Sequence, residues 1–186
     1  ICDSTEATIS VFDHGFLYGA GVYETLRTYN HNPFLFDRHM TRLRSSGDMI
    51  DLAMPLSNGE CLERIRQTMD AIEDLDEAYI RLLLTRGVGE LSYDPAKCLM
   101  PSLVIIVKPH VNIHEDLLTN GVNVALTSII RNHPASVNPR IKSNNLLNNA
   151  LAMQEALKQD TYEGLMRNYK GDLVECSQSN FFLVQN

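Results

Sequence analysis

No run of apolar residues in the sequence reaches membrane-spanning length, so no transmembrane helix is expected. Basic residues are also scarce: 16 lysines and arginines stand against 23 aspartates and glutamates, a formal charge of −7. Without a basic stripe, nucleic acid is not the expected partner, because a phosphate backbone demands clustered cations. The four cysteines, Cys2, Cys61, Cys98 and Cys176, form no CxxC pair, which argues against a zinc or redox motif and fits a reducing compartment. His110 and His114 stand four apart, yet Pro109 disfavours a regular helix there and no third ligand is evident, so no metal is expected. The opening residues 1–6 lack the basic-then-apolar layout of a signal peptide, and the expected localisation is cytoplasmic. No repeat or low-complexity segment interrupts the chain. What is present is 44% hydrophobic content over 186 residues, enough to bury one large domain or two small ones.

The patterning predicts an α+β fold. Residues 7–13 and 20–29 read as strands rich in β-branched and aromatic residues, with turns at His14-Gly15 and at Asn30-His31-Asn32-Pro33. Phe34-Leu35-Phe36 reads as a short strand, after which Asp37 can cap a helix that places Met40, Leu43 and Ile50 at helical spacing. Ser57 starts a second helix with Leu62, Ile65, Met69 and Ile72 on its inner face. Strands are expected at 79–85 and 102–107, then at 122–130, followed by a helix near 144–158. Three short strands, 162–167, 173–176 and 181–184, close the chain, with a hairpin turn over Asn168–Asp172. The polar stretch 108–120, broken by Pro109, is the best boundary. The expected domains are residues 1–112, a linker at 113–120, and residues 121–186.

Five lysines occur, at 97, 108, 142, 158 and 170. Four sit in turns, at a strand exit or near a helix C-terminus, where a cation is favourable. Lys142 stands apart, at the junction where an extended segment enters a helix, and there it can point into a cleft. A neutral amine so placed suits Schiff-base chemistry. The second feature is Glu175-Cys176-Ser177-Gln178-Ser179-Asn180-Phe181, a carboxylate followed by small polar residues and an apolar strand. From its composition alone, Glu175 reads as a solvated residue at a strand end.

Taken together, these segments resemble a known family. Ile141-Lys142-Ser143-Asn144-Asn145-Leu146-Leu147-Asn148-Asn149 resembles the catalytic-lysine motif of the class IV aminotransferases, and the glutamate motif follows at a family-like separation. The family includes branched-chain and D-amino-acid aminotransferases and aminodeoxychorismate lyase. The segment from Phe12 to Glu24 is similar to its N-terminal signature, and Asp37-Arg38-His39-Met40-Thr41-Arg42-Leu43 to its phosphate-arginine helix. The resemblance implies the two-domain fold type IV architecture: a nearly complete N-terminal domain and the first part of a barrel-like second domain. It implies pyridoxal 5'-phosphate as cofactor, with Lys142 as Schiff-base anchor and general acid–base. It further implies that Glu175 holds the pyridine nitrogen, that Arg42 binds the phosphate, and that Ser179 and Asn180 lie near the cofactor.

For substrate, Tyr79-Ile80-Arg81 resembles the tyrosine-and-arginine strand of branched-chain enzymes, and Tyr18 and Tyr23 match aromatic positions of their side-chain pocket. The same aromatics could equally be packing residues in half-buried strands. Thr85-Arg86-Gly87-Val88-Gly89-Glu90-Leu91 is similar to a loop of those enzymes. Leu91-Ser92-Tyr93 stands where D-amino-acid aminotransferases carry their Arg-x-His trap. The resemblance therefore implies transfer from a branched-chain L-amino acid to 2-oxoglutarate, by a homodimer acting on small molecules. Two positions depart from the branched-chain pattern: Leu146 replaces a tyrosine, and Tyr23-Glu24-Thr25-Leu26-Arg27 differs from Phe-Glu-Gly-Ile-Arg. The alternatives are a D-amino-acid aminotransferase, the lyase, or a catalytically incompetent binding or oligomerisation piece. Family members continue beyond the glutamate motif, so the chain is expected to be a fragment with weak or no activity by itself.

Overall fold

A computed structural model describes residues 1–185. The chain divides into two compact units, one comprising Ile1–Val111 with Ile141–Asn144, the other Asn112–Arg140 with the chain from Asn145 onward.

In the first unit, a short helix α1 (His14–Tyr18) leads into β1 (Gly21–Tyr29), which turns into β2 (Asn32–Pro33). Two 13-residue helices follow, α2 (Phe36–Asp48) and α3 (Asn58–Asp70). Then come β3 (Ala78–Thr85) and β4 (Ser102–Pro109), giving an antiparallel sheet of order β2-β1-β3-β4. Alternation along β1 sends Val22, Glu24, Leu26 and Thr28 to one face, where they are buried with Ile80, Leu82 and Leu84 of β3. Met40 and Leu43 from α2, and Cys61, Ile65 and Met69 from α3, complete this core. Each large apolar side chain so buried contributes about 1.5–3 kcal/mol, which makes this cluster the main anchor of the unit.

Local chemistry explains the boundaries. Asn30 and His31 both take positive φ (50° and 59°), as a two-residue hairpin of the right twist requires, and Tyr29 pairs with Asn32 across it. Ser57 and Glu60 form a reciprocal capping box on α3. The α2 helix begins two residues earlier than expected. Leu35 stands at its N-cap with φ 50° and no side-chain bond, while Asp37 lies inside the first turn, where its charge favours the helix dipole. Phe34-Leu35-Phe36 is accordingly no strand; the extended pair is Asn32–Pro33.

Residues 7–12 do not form the expected strand, since no neighbouring strand takes up their backbone groups, and His14-Gly15 opens a helix rather than a turn. Asp13 is the cause: its carboxylate accepts from Gly15 N (2.8 Å), capping α1, and from Thr85 Oγ1 (2.9 Å).

The second unit contains α4 (Glu115–Asn120), β5 (Val124–Ile130), α5 (Leu147–Lys158), β6 (Glu163–Arg167) and β7 (Leu173–Cys176). β5 and β6 run parallel, β6 and β7 antiparallel, and α5 packs on β5 and β6 through Ala152 and Ala156. The hairpin over Asn168–Asp172 forms as expected, closed by Asn168 N donating to Asp172 O (2.8 Å). Residues 181–184 form no strand; Phe182, Leu183 and Val184 are exposed, with no strand alongside among the described residues. No described helix is long and apolar enough to cross a membrane.

Candidate active site

β3 occupies one edge of β1, while β2 covers only the far end of the other edge. The free stretch of that edge is taken by residues 141–144: Tyr23 N donates to Lys142 O (2.9 Å) and Asn144 N to Gly21 O (2.9 Å). Glycine is required at 21, because an added Cβ would sit 2.6 Å from Asn144 Nδ2 and 2.7 Å from Leu84 O. Ile141 packs against the core, and Lys142 N donates to Ser46 Oγ of α2 (3.2 Å). The backbone of the lysine segment is therefore held from two sides. Lys142 Nζ then lies over the Tyr23 ring, 4.7 Å from its centroid.

The strand register places Tyr23, Thr25, Arg27, Tyr79 and Arg81 on the face opposite the core. The Arg81 guanidinium lies over the same Tyr23 ring, at 4.3 Å. Burial pushes the Tyr79 phenol up, but hydrogen bonds with Thr25 and Arg81 and the charges of Arg81 and Lys108 outweigh it, leaving it below its ordinary value of 10.0. Lys142, Tyr23, Tyr79 and Arg81 are thus brought together. Tyr18 belongs to another cluster, with its ring 4.9 Å from those of His14 and Tyr93.

Helix α2 supplies the other cation. His39, Arg42 and Ser46 fall on one stripe at i, i+3 and i+7. Ser46 touches the Lys142 segment, and Arg42, one turn away, forks onto Glu24 of β1. Its Nε donates to Oε1 and its Nη2 to Oε2 (2.7 Å), while His39 Nδ1 donates to Oε2 (2.8 Å). Glu24 is fully buried, whereas Arg42 is 53% exposed. The Glu24 hydrogen bond raises the Arg42 pKa above its already high value, with burial opposing and the carboxylate's charge reinforcing.

In the second unit, Glu175 near the end of β7 is paired with Arg131, which follows β5. Arg131 Nη1 also donates to Asn148 Oδ1 (3.1 Å) and Asn149 Oδ1 (3.3 Å), and Asn149 Nδ2 donates to Ser177 O (2.9 Å). Beyond Glu175, the loop wraps around buried Glu163, whose carboxylate accepts from Gln178 N, Ser179 N (2.8 Å) and Ser179 Oγ (2.7 Å). The Ser179 hydroxyl is thereby engaged, and Asn180 is exposed.

Glu24, His39, Ser46, Arg131 and Glu163 escaped the sequence reading. One signal existed for Glu24: it occupies a core position of an alternating strand, between Val22 and Leu26. A charge there needs a partner.

The amino-transferase class IV family matches residues 21–186. A protein of Methanocaldococcus jannaschii, provisionally named branched-chain-amino-acid aminotransferase, is 38% identical over 185 residues, covering 99% of this chain and 62% of that protein. D-alanine aminotransferase of Staphylococcus aureus is 32% identical over 184 residues, covering 98% of this chain and 62% of its own length. The solved branched-chain aminotransferase of Thermoproteus uzoniensis, with norvaline, superposes with a TM-score of 0.83 at 30% identity, covering 95% of this chain and 60% of that one. The chain therefore spans about three-fifths of the length of the relatives it matches. The expected α+β, fold type IV architecture is borne out by that superposition. With a family match running from Gly21 through the lysine and glutamate motifs, the chain belongs to the class IV aminotransferases.

Proposed function

We propose that this chain carries the lysine, phosphate and pyridine contacts of a pyridoxal-phosphate aminotransferase acting on branched-chain L-amino acids with 2-oxoglutarate as acceptor. One observation carries the reading: α2 and β1 of the same unit fix both the Lys142 backbone and the Arg42 fork. The donor set fits the cofactor. An amine suits its aldehyde, an exposed guanidinium its phosphate, and an ion-paired carboxylate its ring nitrogen.

When bound, pyridoxal phosphate supplies a ring that draws off the negative charge left when the substrate loses its α-proton. The chain's own groups do the rest. Lys142 Nζ would hold the cofactor at its aldehyde and, when free, would move the proton at the substrate α-carbon. Arg131 orients the Glu175 side chain by ion pairing, and Glu175 would hold a proton on the ring nitrogen. Arg42 binds the phosphate. Arg81, oriented by Tyr79 and stacked on Tyr23, offers a cation to the substrate carboxylate beside the amine. Ser179 and Asn180 are assigned to the loop bordering the cofactor, Tyr18 to the substrate side-chain pocket. The acting species is assigned as a homodimer.

A titration of the purified chain with pyridoxal phosphate tests the cofactor reading: wild type is expected to develop the visible absorption band, and Lys142→Ala is not. On the protein carrying this chain, L-leucine, L-isoleucine and L-valine are expected to bleach that band. A response to D-alanine alone, or pyruvate release from aminodeoxychorismate, would replace the branched-chain assignment with one of the other two family activities.

A further inference from the structure

Glu24 is an odd residue for its place. Its neighbours on the core face of β1 are Val22 and Leu26, and Leu82 stands opposite it on β3, all buried. A carboxylate taken fully out of water is costly, and a buried ion pair replaced by apolar side chains is often neutral or stabilising. Stability alone therefore gives little reason for a charge at this position. The geometry of the pair supplies another.

A guanidinium has two hydrogen-bonding edges. Glu24 takes the Nε–Nη2 edge of Arg42 with both oxygens, and His39 Nδ1 adds a third bond to the same carboxylate. Nη1 has no hydrogen-bond partner among the described residues, and the side chain is half exposed. The outer edge is thus free but cannot swing, since the inner edge is locked to a carboxylate that is itself fixed in the sheet. Arg42 also lies one helical turn from Ser46, which holds the Lys142 backbone.

We propose that Glu24 is a positioning residue: its buried carboxylate takes one edge of the Arg42 guanidinium and so presents the other, pre-oriented, to the cofactor's phosphate. The inference rests on the cofactor reading above and adds to it a residue that never touches the cofactor. Holding the fork in place removes the rotamer entropy that a free arginine loses on binding. Gln at position 24 would keep the shape but set an amide NH2 against an Arg42 donor, turning the fork away.

The test compares two ligands on the full chain, pyridoxal phosphate and pyridoxal, which differ only in the phosphate. Wild type is expected to bind the phosphorylated form more tightly. Glu24→Gln is expected to weaken pyridoxal phosphate by about tenfold to a hundredfold, the range for hydrogen bonds to a charged group, and to leave pyridoxal unchanged. In an Arg42→Ala background, Glu24→Gln should cause no further loss. Equal weakening of both ligands, or a loss that adds to that of Arg42→Ala, would assign Glu24 a purely structural role and overturn the proposal. Wild type binding the two ligands equally, with the visible band still absent in Lys142→Ala, would overturn the proposal and spare the cofactor reading; wild type binding neither would overturn both. If Glu24→Gln fails to fold by circular dichroism, Arg42→Lys replaces it, because lysine keeps a cation against Glu24 but has no second edge. Retained preference for pyridoxal phosphate in that variant would overturn the proposal.

Discussion

The two units solve the same problem with different materials. The first buries long side chains, Met40, Leu43, Ile65, Ile80, Leu82 and Leu84, between its sheet and two helices, and places the paired Glu24 carboxylate among them. The second buries Leu165 and Met166 but otherwise small or polar groups, Ala125, Ala152, Ala156, Cys176, Thr127, Glu163 and Ser177, and leaves Val124, Leu126, Leu151 and Leu157 exposed. Its loops are tied instead by side-chain hydrogen bonds, such as those from Gln178 and Ser179 to Glu163 and from Ser128 to Glu155. The lesson is a division of labour. The segment bearing the amine is stitched to the apolar unit, while the segment bearing Glu175 depends on a polar framework.

That contrast can be broken by substitution. Ile80→Ala should cost the most, about 2–5 kcal/mol, because it opens a cavity in the densest part of the first unit; chemical denaturation measures it. Glu163→Gln is expected to cost about 1–3 kcal/mol, since a near-isosteric change leaves buried donors facing a donor. It should loosen the 177–179 loop, read as faster amide exchange at Gln178 and Ser179, with little change in the first unit. If Glu163→Gln destabilises more than Ile80→Ala, the contrast fails. Ser57→Ala removes a helix cap and should cost about 1 kcal/mol.

The smallest effect is pH-dependent. The Thr28 hydroxyl and Asn30 N donate to the half-buried Glu77 carboxylate, and these bonds, the Thr28 one foremost and against the opposing effect of burial, hold it below its ordinary value of 4.5. A depressed folded-state pKa contributes stability that is fully present above 4.5 and lost as pH falls through the lower folded value. The melting temperature of Glu77→Gln should therefore lie below wild type at neutral pH and converge with it on acidification.

Much of this organisation was legible beforehand. Helical spacing marked Met40 and Leu43, Ser57 marked the start of α3, and a turn was expected over Asn30-His31-Asn32-Pro33, of which Asn30-His31 makes the bend, because each signal acts within a few residues. The strand expected at 7–13 failed for the opposite reason: a strand exists only if another lies beside it, and Asp13 instead met Thr85, 72 residues away. The candidate site residues split the same way. Lys142, Arg42 and Glu175 stood in recognisable motifs, whereas their partners come from distant segments: Ser46 and Arg131 show themselves only once the chain has folded, and Glu24 showed only as a charge at a core position of a strand. Arg131 follows an apolar strand like any surface arginine; only its pairing distinguishes it.

The central claim concerns one amine. The chain is incubated with pyridoxal phosphate, reduced with borohydride and digested, and the peptide carrying the added mass is identified by mass spectrometry. The account predicts the label on Lys142 alone, and none in Lys142→Ala. Label spread over Lys97, Lys108, Lys158 and Lys170, or no label at all, would contradict it.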